Sequence, residues 1–291
     1  MKSDMGISEL KKCLHFLPSA ITARVISEIT NVIIHEPVIG IVGKTGAGKS
    51  SLCNALFKGD VSPVSDVKAC TREALRFRLK VEDRFLTLID LPGLGENQLR
   101  DREYSSLYQR VLPEVDLVLW IIKADDRALT VDEHFYKQVL GKAFHHKVLF
   151  IINQADKIEP CHEWLPAINQ PSSLQVANLE IKISDVVLLF EPVHTVCPIS
   201  AKTGWNLDKM VETMTQCFSE KSSSCVSVQL HDHLRTERVK EIVKNDFGIT
   251  VGGILDVVAS LPAIPKPVKS LIHQIRDAVV SVARSLWDFF F

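Results

Sequence analysis

Gly43-Lys44-Thr45-Gly46-Ala47-Gly48-Lys49-Ser50 is the stretch on which the fold turns. An apolar, strand-like run, Pro37 to Val42, leads into it, and a helical pattern, Ser51 to Phe57, leaves it. Strand, glycine-rich turn and helix form the context in which G-x-x-x-x-G-K-S becomes a P-loop. Glycines let successive backbone N–H groups converge on a phosphate, and the helix start adds unpaired N–H groups and a positive dipole end. Gly43, Gly46, Ala47, Gly48, Lys49, Ser50 and Ser51 are therefore the expected phosphate cradle. Lys49 reaches the β- and γ-phosphates, and the Ser50 hydroxyl suits Mg²⁺.

Working outward, the 291 residues carry 46% hydrophobic and 24% charged side chains, with a net charge of −1. That balance suits a globular protein and offers no bulk attraction to nucleic acid or anionic membrane. Seven cysteines fall without C-x-x-C pairs, so neither a zinc site nor a disulfide framework is expected. Cys53, Cys70 and Cys197 read as small buried apolar residues. The ten histidines show no ligand spacing, and His145-His146 reads as loop. Met1-Lys2-Ser3-Asp4 does not read as a signal peptide, and no apolar run is long enough for a membrane span, so a cytoplasmic location is expected.

Residues 7 to 34 read as helix interrupted at Pro18, with Ser19 as the cap of a second helix. Lys58 to Arg72 reads as a polar loop. Leu75, Phe77, Leu79 and Val81 alternate with Arg76, Arg78 and Lys80, predicting a half-exposed strand. A tight turn at Glu82-Asp83 and a second strand, Arg84 to Ile89, complete an antiparallel hairpin at the sheet edge. Val115 to Ile122 and Lys147 to Ile152 are continuous apolar runs, as expected of strands covered on both faces. Helices are expected over Val131 to Leu140, Ser172 to Phe190 and Asn206 to Phe218. Ser222-Ser223-Ser224 reads as a linker, and Gly248 and Gly252-Gly253 as interruptions of the helix that follows. A final helix carries Val268, Leu271, Ile272, Ile275, Val279, Val282 and Leu286 on one face. Its mixed polar face lacks the basic bias of a membrane-surface helix, so internal packing is favoured over peripheral membrane contact. The expected organisation is a helical extension over 1–36, an α/β domain over 37–220 and a helical region over 226–291.

Asp90-Leu91-Pro92-Gly93 follows the hairpin. An aspartate there, after a P-loop, suits Mg²⁺, and Gly93 lets a backbone N–H approach a γ-phosphate. Asn153-Gln154-Ala155-Asp156 ends one expected strand and Ser200-Ala201-Lys202 the next. Asp156 can accept from guanine N1–H and its 2-amino group together. Adenine offers no donor at either place, which would leave the carboxylate unpaired. Asn153 would brace the loop and reach the purine, the Ala201 N–H would donate to guanine O6 and the Lys202 stem would lie along the base, as the family resemblance drawn next implies.

In this order the motifs resemble the G domain of translation-factor-class GTPases, specifically the Era/TrmE-like group, over residues 37 to 218. The wording is also similar to that of the YfjP/YeeP-type predicted GTPases of bacterial prophage regions. Gly43–Ser50 stands as the first motif and Thr71 as the switch threonine of the second. Asp90–Gly93, Asn153–Asp156 and Ser200–Lys202 stand as the third to fifth. The P-loop wording also resembles the immunity-related GTPases, which pack terminal helices into a helical domain. The resemblance implies a P-loop GTPase G domain: a doubly wound, mostly parallel sheet with one antiparallel edge strand, flanked by N- and C-terminal helical segments. It implies GTP and GDP as ligands with Mg²⁺ on Ser50, Thr71 and Asp90. It implies GTP hydrolysis as a molecular switch, with Lys49, Thr71, Asp90 and Gly93 in the catalytic set.

Two departures bear on rate and affinity. Gln154 stands where the family has lysine, and Leu94 where a water-positioning glutamine stands in Ras-type proteins. Some Era/TrmE relatives use a P-loop asparagine with potassium; Gly46 occupies that position here. Slow intrinsic turnover is expected, with the missing group supplied by a partner or by GTP-dependent self-association. Arg72, Arg100 and Arg102 lie near the switches and read as solvated. The partner classes left open are an effector protein, the ribosome or RNA, a second copy in a homo-oligomer, and a membrane surface. The alternatives to a switch are a self-assembling or membrane-associated protein and a nucleotide-binding module with negligible hydrolysis.

Overall fold

The computed structural model describes residues 2–63, 74–91 and 98–291. Helices α1 (Lys2–Cys13) and α2 (Ser19–Ile33) precede strand β1 (Val38–Val42). Helix α3 (Lys49–Leu56) follows the glycine-rich turn. Strands β2 (Asp60–Pro63), β3 (Leu75–Val81) and β4 (Arg84–Asp90) come next, then α4 (Gln98–Val111) and β5 (Leu117–Lys123). Helix α5 (Thr130–Phe135) continues as a π-helical turn, Tyr136–Leu140, before β6 (Val148–Asn153). Helix α6 (Ser173–Phe190), β7 (Cys197–Pro198), α7 (Leu207–Cys217) and α8 (Ser223–Gln229) follow. The chain ends in α9 (Glu237–Ser260), α10 (Lys266–Ser285) and α11 (Trp287–Phe290).

One compact unit comprises residues 37–218 and 229–236; the other comprises 1–36, 219–228 and 237–291. The first is built on a seven-stranded sheet in the order β2-β3-β4-β1-β5-β6-β7. Five strands, β4, β1, β5, β6 and β7, run parallel, and β3 runs against β4. This is the doubly wound α/β arrangement expected from the sequence, with one strand antiparallel to the rest. The short β2 pairs outside β3, Val61 opposite Leu79, within a stretch read as loop. Its pairing is long-range and leaves little local pattern in four residues.

Every residue of β6 and all but the last of β5 are buried, as their unbroken apolar runs demand. Trp120 lies beside Phe150 in register and packs with Tyr136 and Phe190 into an aromatic core. Each such side chain contributes about 1.5–3 kcal/mol by leaving water. The strand order reverses at β1: β4 is laid on one side of it and β5, β6 and β7 on the other, so the carboxyl ends of the strands open a crevice there.

The helical unit buries Leu10, Leu14, Val25 and Ile29 with Val243, Phe247, Val251 and Ile272. The apolar stripe of α10 packs on α9, and Trp287 and Phe290 enter the same core. Two expectations are corrected here. Helix α9 runs unbroken for 24 residues through Gly248 and Gly252. A Cβ at either position would meet Arg284 or Arg276 of α10 at 2.4 and 2.8 Å, so the glycines admit a close helix crossing rather than a break. The expected serine linker is buried: Ser224 Oγ accepts from Trp287 Nε1 at 2.9 Å and donates to the Val243 carbonyl at 3.2 Å. Small hydroxyl residues let helices approach and still satisfy their own polar atoms. At the second helix, Pro18 occupies the cap position ahead of Ser19. Among the described residues, no helix is long and apolar enough to cross a membrane.

Candidate functional site

The carboxyl ends of β1, β4, β6 and β7 bring the motif loops to one edge of the sheet. The turn after β1 is glycine-dependent. Gly48 adopts φ 92°, and a Cβ there would lie 2.3 Å from Asn153 Nδ2. Only glycine lets the loop seat against β6 in this way. Lys49 opens α3 and donates from Nζ to the Gly43 carbonyl at 2.9 Å. Its ammonium stands 3.9 Å from Asp90 Oδ1.

Asp90 closes β4. Its Oδ1 is buried without a hydrogen-bond partner, although the side chain as a whole is 41% exposed. Burial raises its pKa, and the charge of Lys49 acts in the opposite sense. Lys49, Ser50 and Asp90 line one cleft of about 510 Å³, with Cys53 and Phe77 in its wall. An unpartnered carboxylate oxygen sharing a cleft with a hydroxyl is a donor set that fits a hard divalent cation. Burial pushes the Cys53 and Cys197 thiols up, to about 12 and about 11, which keeps them protonated.

Asn153 ends β6 and is 1% exposed. Its Nδ2 donates to the Ala47 carbonyl at 2.9 Å. Its Oδ1 accepts from the N–H groups of Gln154, at 2.8 Å, and Ala201, at 3.0 Å. One buried amide thus ties the glycine-rich turn, the Asn153–Asp156 loop and the Ser200–Lys202 turn together. The Ala201 N–H, expected to face a purine O6, donates to this amide. Asp156 Oδ1 accepts from Ser200 Oγ at 2.7 Å, which orients the carboxylate. Ser200 is itself buried, and Lys202 is exposed.

Gln154 sits in the left-handed region (φ 64°), and its Nε2 donates to the Gly46 carbonyl at 2.7 Å. The amide therefore makes the loop contact that a lysine could make there, without the charge. Lys44, by contrast, was missed by sequence reasoning: it pairs with Asp126 at 2.9 Å and Asp132 at 3.0 Å. Nothing local in the sequence links these positions; the parallel pairing of β1 with β5 does. Thr71, Arg72, Cys70, Gly93 and Leu94 lie outside the described residues, as do the side chains of Arg100 and Arg102.

Residues 38–154 match the model of the 50S ribosome-binding GTPase family. The protein YkfA of Escherichia coli (strain K12) is 53% identical over 291 residues, covering 100% of both chains. YfjP of the same organism is 51% identical over 291 residues, again 100% of both. GTPase Era of Aquifex aeolicus (strain VF5) is 28% identical over 186 residues, which is 62% of this chain and 56% of that one. The chain thus spans a little over half of Era but the whole of YkfA and YfjP. With its strand order, its glycine-rich turn and these likenesses together, the chain belongs to the YkfA/YfjP family and carries a P-loop GTPase G domain.

Proposed function

We propose that the chain binds GTP and GDP with Mg²⁺ at this sheet edge and hydrolyses GTP to GDP and phosphate as a slow molecular switch. The observation that supports this reading most is the Asn153 brace, which joins the phosphate loop to both base-facing loops through three hydrogen bonds. A nucleotide needs those three pieces at fixed separation, and a buried amide with three hydrogen bonds fixes them.

The roles follow from chemistry. The N–H groups of Gly46, Gly48, Lys49, Ser50 and Ser51 would face the phosphates, beginning from the turn at Gly43, while the Ala47 N–H donates to the Lys44 carbonyl and would have to leave it to join them. Lys49 exchanges its bond to the Gly43 carbonyl for phosphate oxygens. Ser50, Asp90 and Thr71 would hold Mg²⁺, which supplies charge neutralisation on the β- and γ-phosphate oxygens. Gly93 offers its N–H to the γ-phosphate. Asp156, oriented by Ser200, accepts from guanine N1–H and the 2-amino group. The Ala201 N–H is held on Asn153, so base selection rests chiefly on Asp156. The Lys202 stem covers the base.

In the reaction, a water oxygen bonds to the γ-phosphorus as the bond to the β–γ bridging oxygen breaks. Lys49 holds the charge that collects on that bridging oxygen. Gly46 brings no side chain to this step, and its carbonyl is occupied by Gln154. A partner or a second copy completes the charge stabilisation, which makes unaided turnover slow.

Equilibrium binding of fluorescent GTP, GDP and ATP in the presence of Mg²⁺ tests the reading. Guanine-selective binding, followed by slow phosphate release from GTP, is the expected result. Equal affinity for ATP would overturn the base assignment, and absence of any binding would overturn the whole.

A further inference from the structure

The P-loop carries two lysines with opposite fates. Lys49 makes one loop contact and one distant ion pair. Lys44 is engaged elsewhere. Its Nζ donates to Asp126 Oδ2 at 2.9 Å and to the Ala128 carbonyl, and it pairs with Asp132 Oδ2 at 3.0 Å. Two hydrogen bonds and one ion pair engage this ammonium, the Asp132 oxygen itself accepting no hydrogen bond. The group is committed to these partners rather than to a phosphate.

The acceptors are themselves held. Asp126 Oδ1 accepts from the Ala128 N–H at 3.0 Å, and the Asp126 carbonyl accepts from Lys182 Nζ. Asp132 lies in the first turn of α5, near its N-terminus, where a carboxylate suits the helix dipole. Lys44 and Lys182 thus face Asp126 and Asp132, with Asp185 and Asp125 also acting on Lys182. Side-chain exposures of 31% for Lys44, 17% for Asp126 and 8% for Asp132 place it between a surface pair and a buried one. Burial would lower the Lys44 pKa, but the two carboxylates outweigh it and raise the value. The lysine therefore stays charged at neutral pH.

We propose that Lys44, clamped by Asp126 and Asp132, is a positioning residue that holds the phosphate loop in binding-ready shape before nucleotide arrives. This rests on the GTP-site reading above. Phosphate binding requires backbone N–H groups to converge, which in turn requires the carbonyls to face away. The Ala47 and Gly46 carbonyls are drawn outward by Asn153 and Gln154 on one side. Lys44 anchors the other side, and its own carbonyl accepts the Ala47 N–H at 3.1 Å to close the turn. Without the clamp, residues 44 to 46 gain conformers that must be given up on binding, at a cost independent of base and of phosphate number.

The test uses the full chain and fluorescent GDP, GTP and ATP, with unfolding followed in the absence of nucleotide. Lys44→Met should bind GDP and GTP each about tenfold more weakly, with faster release and an unchanged guanine-to-adenine ratio. Lys44→Arg, which can keep both carboxylate pairs, should stay within about threefold of the native chain. GDP affinity of Lys44→Met within about twofold of native would overturn the proposal. So would a lowered unfolding midpoint with unchanged affinity in the folded fraction, because the clamp would then be structural only. If Lys44→Met does not fold, Asp132→Asn decides: weaker binding of both nucleotides supports the clamp, and native affinity sinks it. A native chain that binds no guanine nucleotide would fail the GTP-site reading first, a result separable from any failure of the variants.

Discussion

The loops at the carboxyl end of the sheet and the helices of the second unit are held by opposite means. The loops are fixed by few, directional bonds: an amide serving three loops at Asn153, a second at Gln154, and an ammonium bonded to Asp126 and Ala128 and paired with Asp132 at Lys44. The helices are fixed by many weak contacts among Leu, Ile, Val and Phe side chains, closed by a few polar links such as Trp287 to Ser224. Directional bonds define a shape to tenths of an ångström and fail singly. Dispersive packing tolerates small volume changes and fails by cavities. Substitutions should therefore lower ligand affinity in the first region and folding stability in the second.

The strongest break of that contrast is sought at Lys49. Lys49→Ala should lose nucleotide affinity by at least about 100-fold with little change in unfolding midpoint; full-affinity GTP binding would contradict the phosphate assignment. Next is Phe247, which is fully buried against Phe290 and Phe291. Phe247→Ala should lower stability by about 3–5 kcal/mol in urea titration and leave the GDP affinity of folded protein within about twofold. A large affinity loss would show the two regions to be energetically coupled. Asp156→Asn should then weaken guanine binding and favour xanthine, whose C2 carbonyl accepts from the new amide, by about tenfold; an unshifted preference would count against base reading by this carboxylate. The smallest effect lies in α9. Gly253 is exposed with open space around its missing Cβ, so Gly253→Ala should stabilise by about 0.5–1 kcal/mol. Gly248→Ala should show no such gain, since its Cβ would meet the stem of Arg284 at 2.7 Å.

The same contrast explains what could be read without the structure. The sheet was legible because β5 and β6 are unbroken apolar runs and β3 alternates. The motif residues were legible because each chemical role restricts residue type and spacing. What escaped notice depends on distant partners. Gly248 and Gly252 look like helix breakers until α10 is placed across them. Ser224 looks like linker until Trp287 donates to it. Lys44 looks like an ordinary loop residue until β5 is set beside β1, and Gln154, legible as a departure, gives no hint of its bond to Gly46 until β6 is in place. The extra strand β2 depends wholly on its pairing with β3.

The helical unit is assembled from three separated stretches, 1–36, 219–228 and 237–291. A ribosome delivers them at different times. Helix α2 carries buried Val25 and Ile29, but their partners on α9 emerge about 200 residues later, which at about 5–20 residues per second is about 10–40 seconds. For that interval the first two helices present an uncovered apolar face while the sheet between them and their partners is being made. The chain's vulnerability to misassociation is therefore concentrated in its earliest residues, and slowing synthesis should lengthen that window.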